Sequence, residues 1–316
     1  MERRLAAIDI GSHTARLLIA RVSPKGKLEE IERARSYIHL ARYISGNSPK
    51  LLNAKAVESV SRVLNEFKER IHFYGVEKSF ALGTGLVREA DNREEFIDKV
   101  FELSGILIHP ISPEKEALLS AKGATLSGFI QLPALVFDLG GGSTEFCLLR
   151  ARTHHSRSIP LGASVFTKRF IKADPPQLRE LERLRKEILR LLNKGLSGFP
   201  NVDQDCVELV ATGGTVVSIG AIHLKIPTEA LSPQRINGIT LERERVLELA
   251  KKLSGLPTTQ RARIVGLDYG RAPVIVAGTW AVYHILEYLG FKRFTISMYD
   301  LLEGTLLELL EGEEDG

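Results

Sequence analysis

Val136-Phe137-Asp138-Leu139-Gly140-Gly141-Gly142-Ser143-Thr144-Glu145 is the stretch from which the fold can be read. Val136 and Phe137 end an apolar strand, and Asp138 is the first polar group beyond it. Gly140, Gly141 and Gly142 let the backbone turn close to whatever lies above the strand. A loop without Cβ atoms and with several amide donors is suited to cradling phosphate oxygens. Ser143 and Thr144 add hydroxyls, while Asp138 and Glu145 add carboxylates that suit a hard cation such as Mg²⁺. Taken alone, such a stretch also fits a structural hairpin turn.

The scheme recurs upstream. Ala7-Ile8-Asp9-Ile10-Gly11-Ser12-His13-Thr14 again runs from apolar strand to Asp, apolar residue, Gly and small polar residues, so Asp9 matches Asp138 and Gly11 matches Gly140. Phe80-Ala81-Leu82-Gly83-Thr84-Gly85 likewise resembles Val210-Ala211-Thr212-Gly213-Gly214-Thr215. Two strand-to-glycine signals repeated in order argue for an internal duplication. The expectation is an α/β chain of two similar halves, 1–130 and 131–316, whose loops meet across a cleft, with packing of the C-terminal helix back on the first half as a further option.

The 316 residues are enough for two domains with real cores. An apolar fraction of 44% and a charged fraction of 26% are those of a globular chain. The formal charge of +4 is compatible with a polyanionic ligand, and neither nucleic acid nor a membrane is expected as a partner. Cys147 and Cys206 lie in apolar runs without metal-site or redox spacing, so both are expected as buried free thiols. The first motif begins so near Met1 that no signal peptide is expected, and the apolar run 272–282 is short for a bilayer. A cytoplasmic protein is expected.

Leu5–Ile10, Ala15–Val22 and Leu28–His39 read as strands, with a turn at Pro24-Lys25-Gly26. Asn53–Phe73 carries Val57, Val60, Leu64, Phe67 and Ile71 at helical spacing. Lys78–Leu82 and Gly105–Ile111 read as strands around a helix at Arg93–Leu103. Ser112-Pro113-Glu114 starts a helix that places Glu116 one turn in. In the second half, helices are expected after Asp174-Pro175-Pro176 and over Leu241–Leu253, Arg271–Leu289 and Leu301–Leu310. Strands are expected at Cys206–Val210 and Phe294–Ser297, and the acidic tail Glu311–Gly316 is expected to fray.

Asp9–Arg16, Arg88–Asn92, Glu116, Asp138–Glu145 and Gly213–Thr215, in this order, resemble the exopolyphosphatase/guanosine pentaphosphate phosphatase family. That resemblance implies two ribonuclease-H-like domains of the actin-like ATPase superfamily. It also implies Mg²⁺-dependent removal of terminal phosphate from polyphosphate or guanosine pentaphosphate, a stringent-response substrate. In such chemistry the protein mainly positions groups and neutralises charge. Gly11, Ser12, His13, Gly140, Gly141, Gly142, Ser143 and Thr144 are the candidate phosphate contacts, with Gly213, Gly214 and Thr215 as a further loop. Arg88 suits a forked clamp on the terminal phosphate, the alternative being a surface pair with Glu89 or Glu94. Glu116 fits the family's water-activating glutamate, with Glu114 as the runner-up. Asp138, Glu145 and Asp9 are the candidate Mg²⁺ ligands.

Four positions depart from the family pattern: His13 in the first loop, Pro113 before the catalytic helix, Pro273 after Arg271-Ala272, and Leu302 before Glu303-Gly304. The chain resembles the short, two-domain form, for which a homodimer is one compatible state. Lys168, Arg169, Lys172, Arg261, Arg263 and Arg271 fit either an anion track or a solvated basic face. The competing functions are an ATP-dependent kinase or ATPase of the same superfamily and a non-catalytic sensor of polyphosphate or alarmones.

Overall fold

In β1 (Arg3–Ile10) every residue from Leu5 onward is buried, because both faces of the strand are covered. Alternation sends Ala6, Ile8 and Ile10 into one core and Leu5 and Ala7 into another. The computed structural model describes residues 2–23, 27–45, 50–126 and 128–314, so the turn expected at 24–26 lies outside the described residues. The chain divides into two units, Met1–Leu119 with Leu301–Gly316, and Ser120–Asp300.

In the first unit β1 is followed by β2 (Thr14–Val22), β3 (Leu28–Tyr37), and the short strands β4 (Ile44–Ser45) and β5 (Leu51–Leu52). Then come α1 (Ala54–Phe73), β6 (Lys78–Gly83), α2 (Leu86–Glu89), α3 (Arg93–Ser104), β7 (Ile108–Pro110) and α4 (Pro113–Thr125), whose residues from Ser120 onward belong to the second unit. Asn53 caps α1 through its side chain, accepting from the amides of Lys55 and Ala56. The sheet runs β3-β2-β1-β6-β7. Its first three strands are an antiparallel meander, and β6 and β7 join in parallel.

The second unit holds β8 (Ala134–Leu139), β9 (Thr144–Leu149), β10 (His154–Ile159), α5 (Ala163–Phe170), α6 (Leu178–Gly195), β11 (Glu208–Thr212) and α7 (Gly214–Leu224). It continues with α8 (Pro233–Ile236), β12 (Thr240–Glu242), α9 (Arg243–Ser254), α10 (Thr258–Arg261), α11 (Ile275–Leu289) and β13 (Arg293–Ile296). Its sheet runs β10-β9-β8-β11-β13-β12. With β12 set aside as an added antiparallel edge, the order and direction match the first sheet strand for strand. Two such sheets flanked by helices are the doubled α/β architecture expected from the repeat.

The chain closes with α12 (Leu301–Glu314), which returns to the first unit. Leu302 and Leu306 cover Leu5, Ala7, Leu18, Ala20 and Val22, the sheet face opposite α1 and α3. Gly304 is required there, since a Cβ would stand 1.9 Å from the Leu119 carbonyl oxygen. Buried Glu303 pairs with Arg33 of β3.

Several boundaries differ from the sequence expectation. Helix α12 continues through Glu314 instead of fraying from Glu311. Helix α6 starts at Leu178 behind a capping box of Gln177 and Glu180, while Asp174 accepts the Thr258 amide and a bond from Arg261. Leu241 lies in β12, and Arg271 lies in a short turn ahead of α11, because the following stretch through Val274 is not α-helical. Strand β11 begins only at Glu208, so Cys206 is exposed, whereas Cys147 is buried as expected and its thiol is pushed up to about 12 by desolvation. Among the described residues no helix is long and apolar enough to cross a membrane.

Candidate functional site

Both glycine turns close in the same way: the Gly11 amide donates to the Thr14 carbonyl, and the Gly140 amide to the Ser143 carbonyl, each at 3.0 Å. These two amides are therefore committed to the hairpins and do not serve a ligand. In the first unit the carbonyls of Ser12 and His13 accept from the amides of Leu40, Ile38 and His39. A trans peptide sets N–H opposite C=O, so the His13 amide points away from that segment. The His13 ring turns to an aromatic cluster, with Nδ1 3.2 Å from Nδ1 of His39 and an edge contact to Tyr37. The Ser12 hydroxyl accepts the Leu86 amide at 2.9 Å and so ties the first loop to the short helix that carries Arg88. Gly85, at φ 49°, leaves room for it: a Cβ there would stand 2.3 Å from Ser12 Oγ.

Asp9 lies at the end of β1, with Oδ1 accepting the Thr84 hydroxyl at 3.1 Å. Its Oδ2 accepts from Nε and Nη2 of Arg16 at 2.9 and 2.7 Å. Arg88 pairs with neither Glu89, which holds Lys50, nor Glu94; its Nη1 donates to Glu116 Oε2 at 2.6 Å and to the Ile111 carbonyl. Both members of the Arg88–Glu116 pair are 14% exposed. Burial pushes the Glu116 carboxyl above the usual carboxylate range, Arg88 and Arg16 pull it back down, and Asp9 adds to the rise. Glu114, on the same first turn of α4, is exposed. Arg88 also lines a cavity of about 580 Å³ with Ala90–Glu95. The Asn92 side chain braces its rim through the amide and carbonyl of Leu52.

In the second unit the triple-glycine turn is clamped from one side by α5. The amide of Ala163 donates to Gly140 O, and those of Ser164 and Val165 donate to Gly141 O. The N–H groups of Gly141 and Gly142 consequently point away from α5. The Thr144 hydroxyl is buried on the Leu161 carbonyl, and Thr215 packs against Gly278, so neither hydroxyl is presented outward. Gly213, at φ 94°, lies against Asp138: a Cβ would stand 2.6 Å from Oδ1. The Arg271 guanidinium lies over Gly214 at the start of α7. Arg261 is only 2% exposed and donates to three carbonyls and to Asp174, so it belongs to the core and to no anion track.

The residue that faces the duplicated Asp differs in charge between the two units. In the first unit Asp9 faces Arg16 across β1–β2, and in the second, at the same spacing, Asp138 faces Glu145 across β8–β9. Residues opposite one another on adjacent antiparallel strands share a face and sit about 5 Å apart. Asp9 is therefore neutralised by its own hairpin, and a cation added there would be repelled by Arg16. Asp138 and Glu145 place two acids together, the donor type a hard cation prefers. Among the described residues no group of three or more His, Cys, Asp or Glu side chains could hold a metal. A pair still fits Mg²⁺, which binds through one or two carboxylates and fills its octahedron with water and phosphate oxygens.

Arg16, Thr84, Ser120 and Ser158 were missed as site residues in the sequence. Arg16 was legible from the hairpin, where its spacing from Asp9 repeats that of Glu145 from Asp138. Ser158 was not, because only the register of β10 on β9 brings it to Glu145.

The chain is similar to known proteins in both sequence and structure. Exopolyphosphatase 2 of Mycobacterium tuberculosis is 28% identical over 320 residues, covering 97% of this chain and 98% of that protein. The bifunctional 3-dehydroquinate synthase/phosphatase of Fusobacterium nucleatum is 29% identical over 98% of this chain and 47% of its own. Among solved structures, the Aquifex aeolicus Ppx/GppA family member superposes with a TM-score of 0.85 at 28% identity, covering 99% of both chains. With the Ppx/GppA phosphatase family model matching residues 18–313, the chain belongs to that family.

Proposed function

We propose that this protein is a Mg²⁺-dependent phosphoanhydride hydrolase that removes terminal phosphate from inorganic polyphosphate or guanosine pentaphosphate. The observation that carries the reading is Glu116: a desolvated carboxylate, raised in pKa and held at 2.6 Å by Arg88. A base poised nearer neutrality takes a proton from water more effectively than an ordinary exposed carboxylate.

In this reading Glu116 Oε2 accepts the proton of the attacking water. Arg88, relieved of Glu116 in part, turns its remaining guanidinium donors to the terminal phosphate. The amides of Gly141 and Gly142 supply phosphate donors in the second unit, and that of His13 in the first. Asp138 and Glu145 would hold Mg²⁺, which supplies charge neutralisation to the phosphate oxygens. Asp9 acts through Arg16 and Thr84 to fix the end of β1 and is assigned no metal.

The test is orthophosphate release from polyphosphates of several lengths and from guanosine pentaphosphate, with Mg²⁺ or EDTA and no phosphoryl acceptor. Release in Mg²⁺ that EDTA abolishes is expected. Phosphate transfer seen only with a small acceptor would make the protein a kinase, and binding without release would make it a sensor.

Arg88→Gln separates the clamp from the base. Because Arg88 holds the Glu116 pKa down, its removal is expected to move the acidic limb of kcat/KM to higher pH. Losing one charged phosphate contact is expected to lower kcat/KM by roughly 10- to 100-fold. A pH profile with an unmoved acidic limb would dissociate the limb from Glu116.

A further inference from the structure

A polar row crosses four adjacent strands of the second unit: Thr212 on β11, Asp138 on β8, Glu145 on β9 and Ser158 on β10. Each of the two acids has its own hydroxyl donor. Ser158 Oγ donates to Glu145 Oε1 at 2.8 Å, and Ser120 Oγ donates to Asp138 Oδ2 at 2.9 Å. Ser120 is 1% exposed and stands one turn beyond Glu116 on α4.

The Ser120 bond differs from those of five other buried helical hydroxyls. Ser104, Ser218, Ser254, Thr279 and Thr305 each donate to the carbonyl four residues back on their own helix. Ser120 turns instead to a carboxylate on a neighbouring strand. A hydroxyl that donates to a carboxylate oxygen fixes the rotamer of that carboxylate. Two acids facing each other across a strand pair repel, and a fixed hydroxyl donor on each keeps either from swinging away.

We propose that Ser120 and Ser158 are positioning residues that hold the Asp138 and Glu145 carboxylates correctly turned for a divalent cation; this rests on the Mg²⁺-dependent reading above. Hydrogen-bond partners of metal-ligating groups typically contribute 10- to 100-fold to affinity or activity.

The test titrates MgCl₂ alone into wild type, Ser120→Ala, Ser158→Ala and Ser158→Thr by isothermal titration calorimetry, with the Mg²⁺ half-saturation of phosphate release measured in parallel. Each alanine variant is expected to weaken Mg²⁺ about 10- to 100-fold, with a metal-free melting temperature close to wild type. Ser158→Thr keeps the hydroxyl and is expected to bind as wild type does. Ser158 lies on an edge strand, so its variants carry the test if Ser120→Ala fails to fold. Wild-type affinity in both alanine variants would overturn the proposal and leave the hydrolase reading intact. A wild type that neither binds Mg²⁺ nor releases phosphate would overturn both.

Discussion

Glu116→Gln is expected to lower kcat by about 10²- to 10⁴-fold, the usual contribution of a positioned general base. Glutamine keeps the shape and an acceptor oxygen for Arg88 Nη1, so the first unit retains its packing while the proton acceptor is lost. Wild-type activity should show an acidic limb above 4.5, the ordinary glutamate value, because burial raises the Glu116 pKa. Stability moves in the opposite sense. A carboxyl that ionises at higher pH in the folded protein than in the unfolded chain contributes stability that is complete below 4.5 and lost as pH rises through its folded value. The wild type should therefore lose stability relative to Glu116→Gln across that window, which urea midpoints at a series of pH values would read. Unchanged kcat in the variant would exclude Glu116 as the base.

Gly162→Ala should cost turnover without touching any acid or base. At φ −130° and ψ 141° any residue can adopt this backbone, so the penalty is contact alone. A Cβ would stand 2.3 Å from the Gly142 carbonyl carbon and 2.4 Å from Gly141 O. These are backbone atoms of the triple-glycine turn, so relief requires the turn to move. Misplacing phosphate donors by about 1 Å is expected to lower kcat roughly 10²-fold. The overpacking is expected to cost about 1–3 kcal/mol. Steady-state kinetics with a denaturation curve would check both, and full activity would mean that the turn's amides do not bind substrate.

Much of this was legible in the residues. The two Asp-x-Gly hairpins and the two later glycine loops announced the duplication, because a strand that must end in a tight turn leaves a local mark. Glu116 was legible from Pro113, since a helix start fixes what lies one turn later. Hydroxyl roles were less so: Ser12, Thr144 and Thr215 look alike in sequence, yet one ties two loops together and the other two are buried. Which way a small hydroxyl turns depends on the neighbour that reaches it. Cys206 was misread for a related reason, since an apolar run does not say where a strand begins.

The sequence by itself determined the duplication into two α/β halves, the glycine turns and the acids at the strand ends, all set by near-neighbour spacing. Only the tertiary structure decided the more distant partners of the acids, with Arg88 on Glu116, and Ser120 and Ser158 on Asp138 and Glu145. Charge and hydrogen bonding act over a few ångströms in space, and the partners that set them come from other strands and helices whose register no local pattern records.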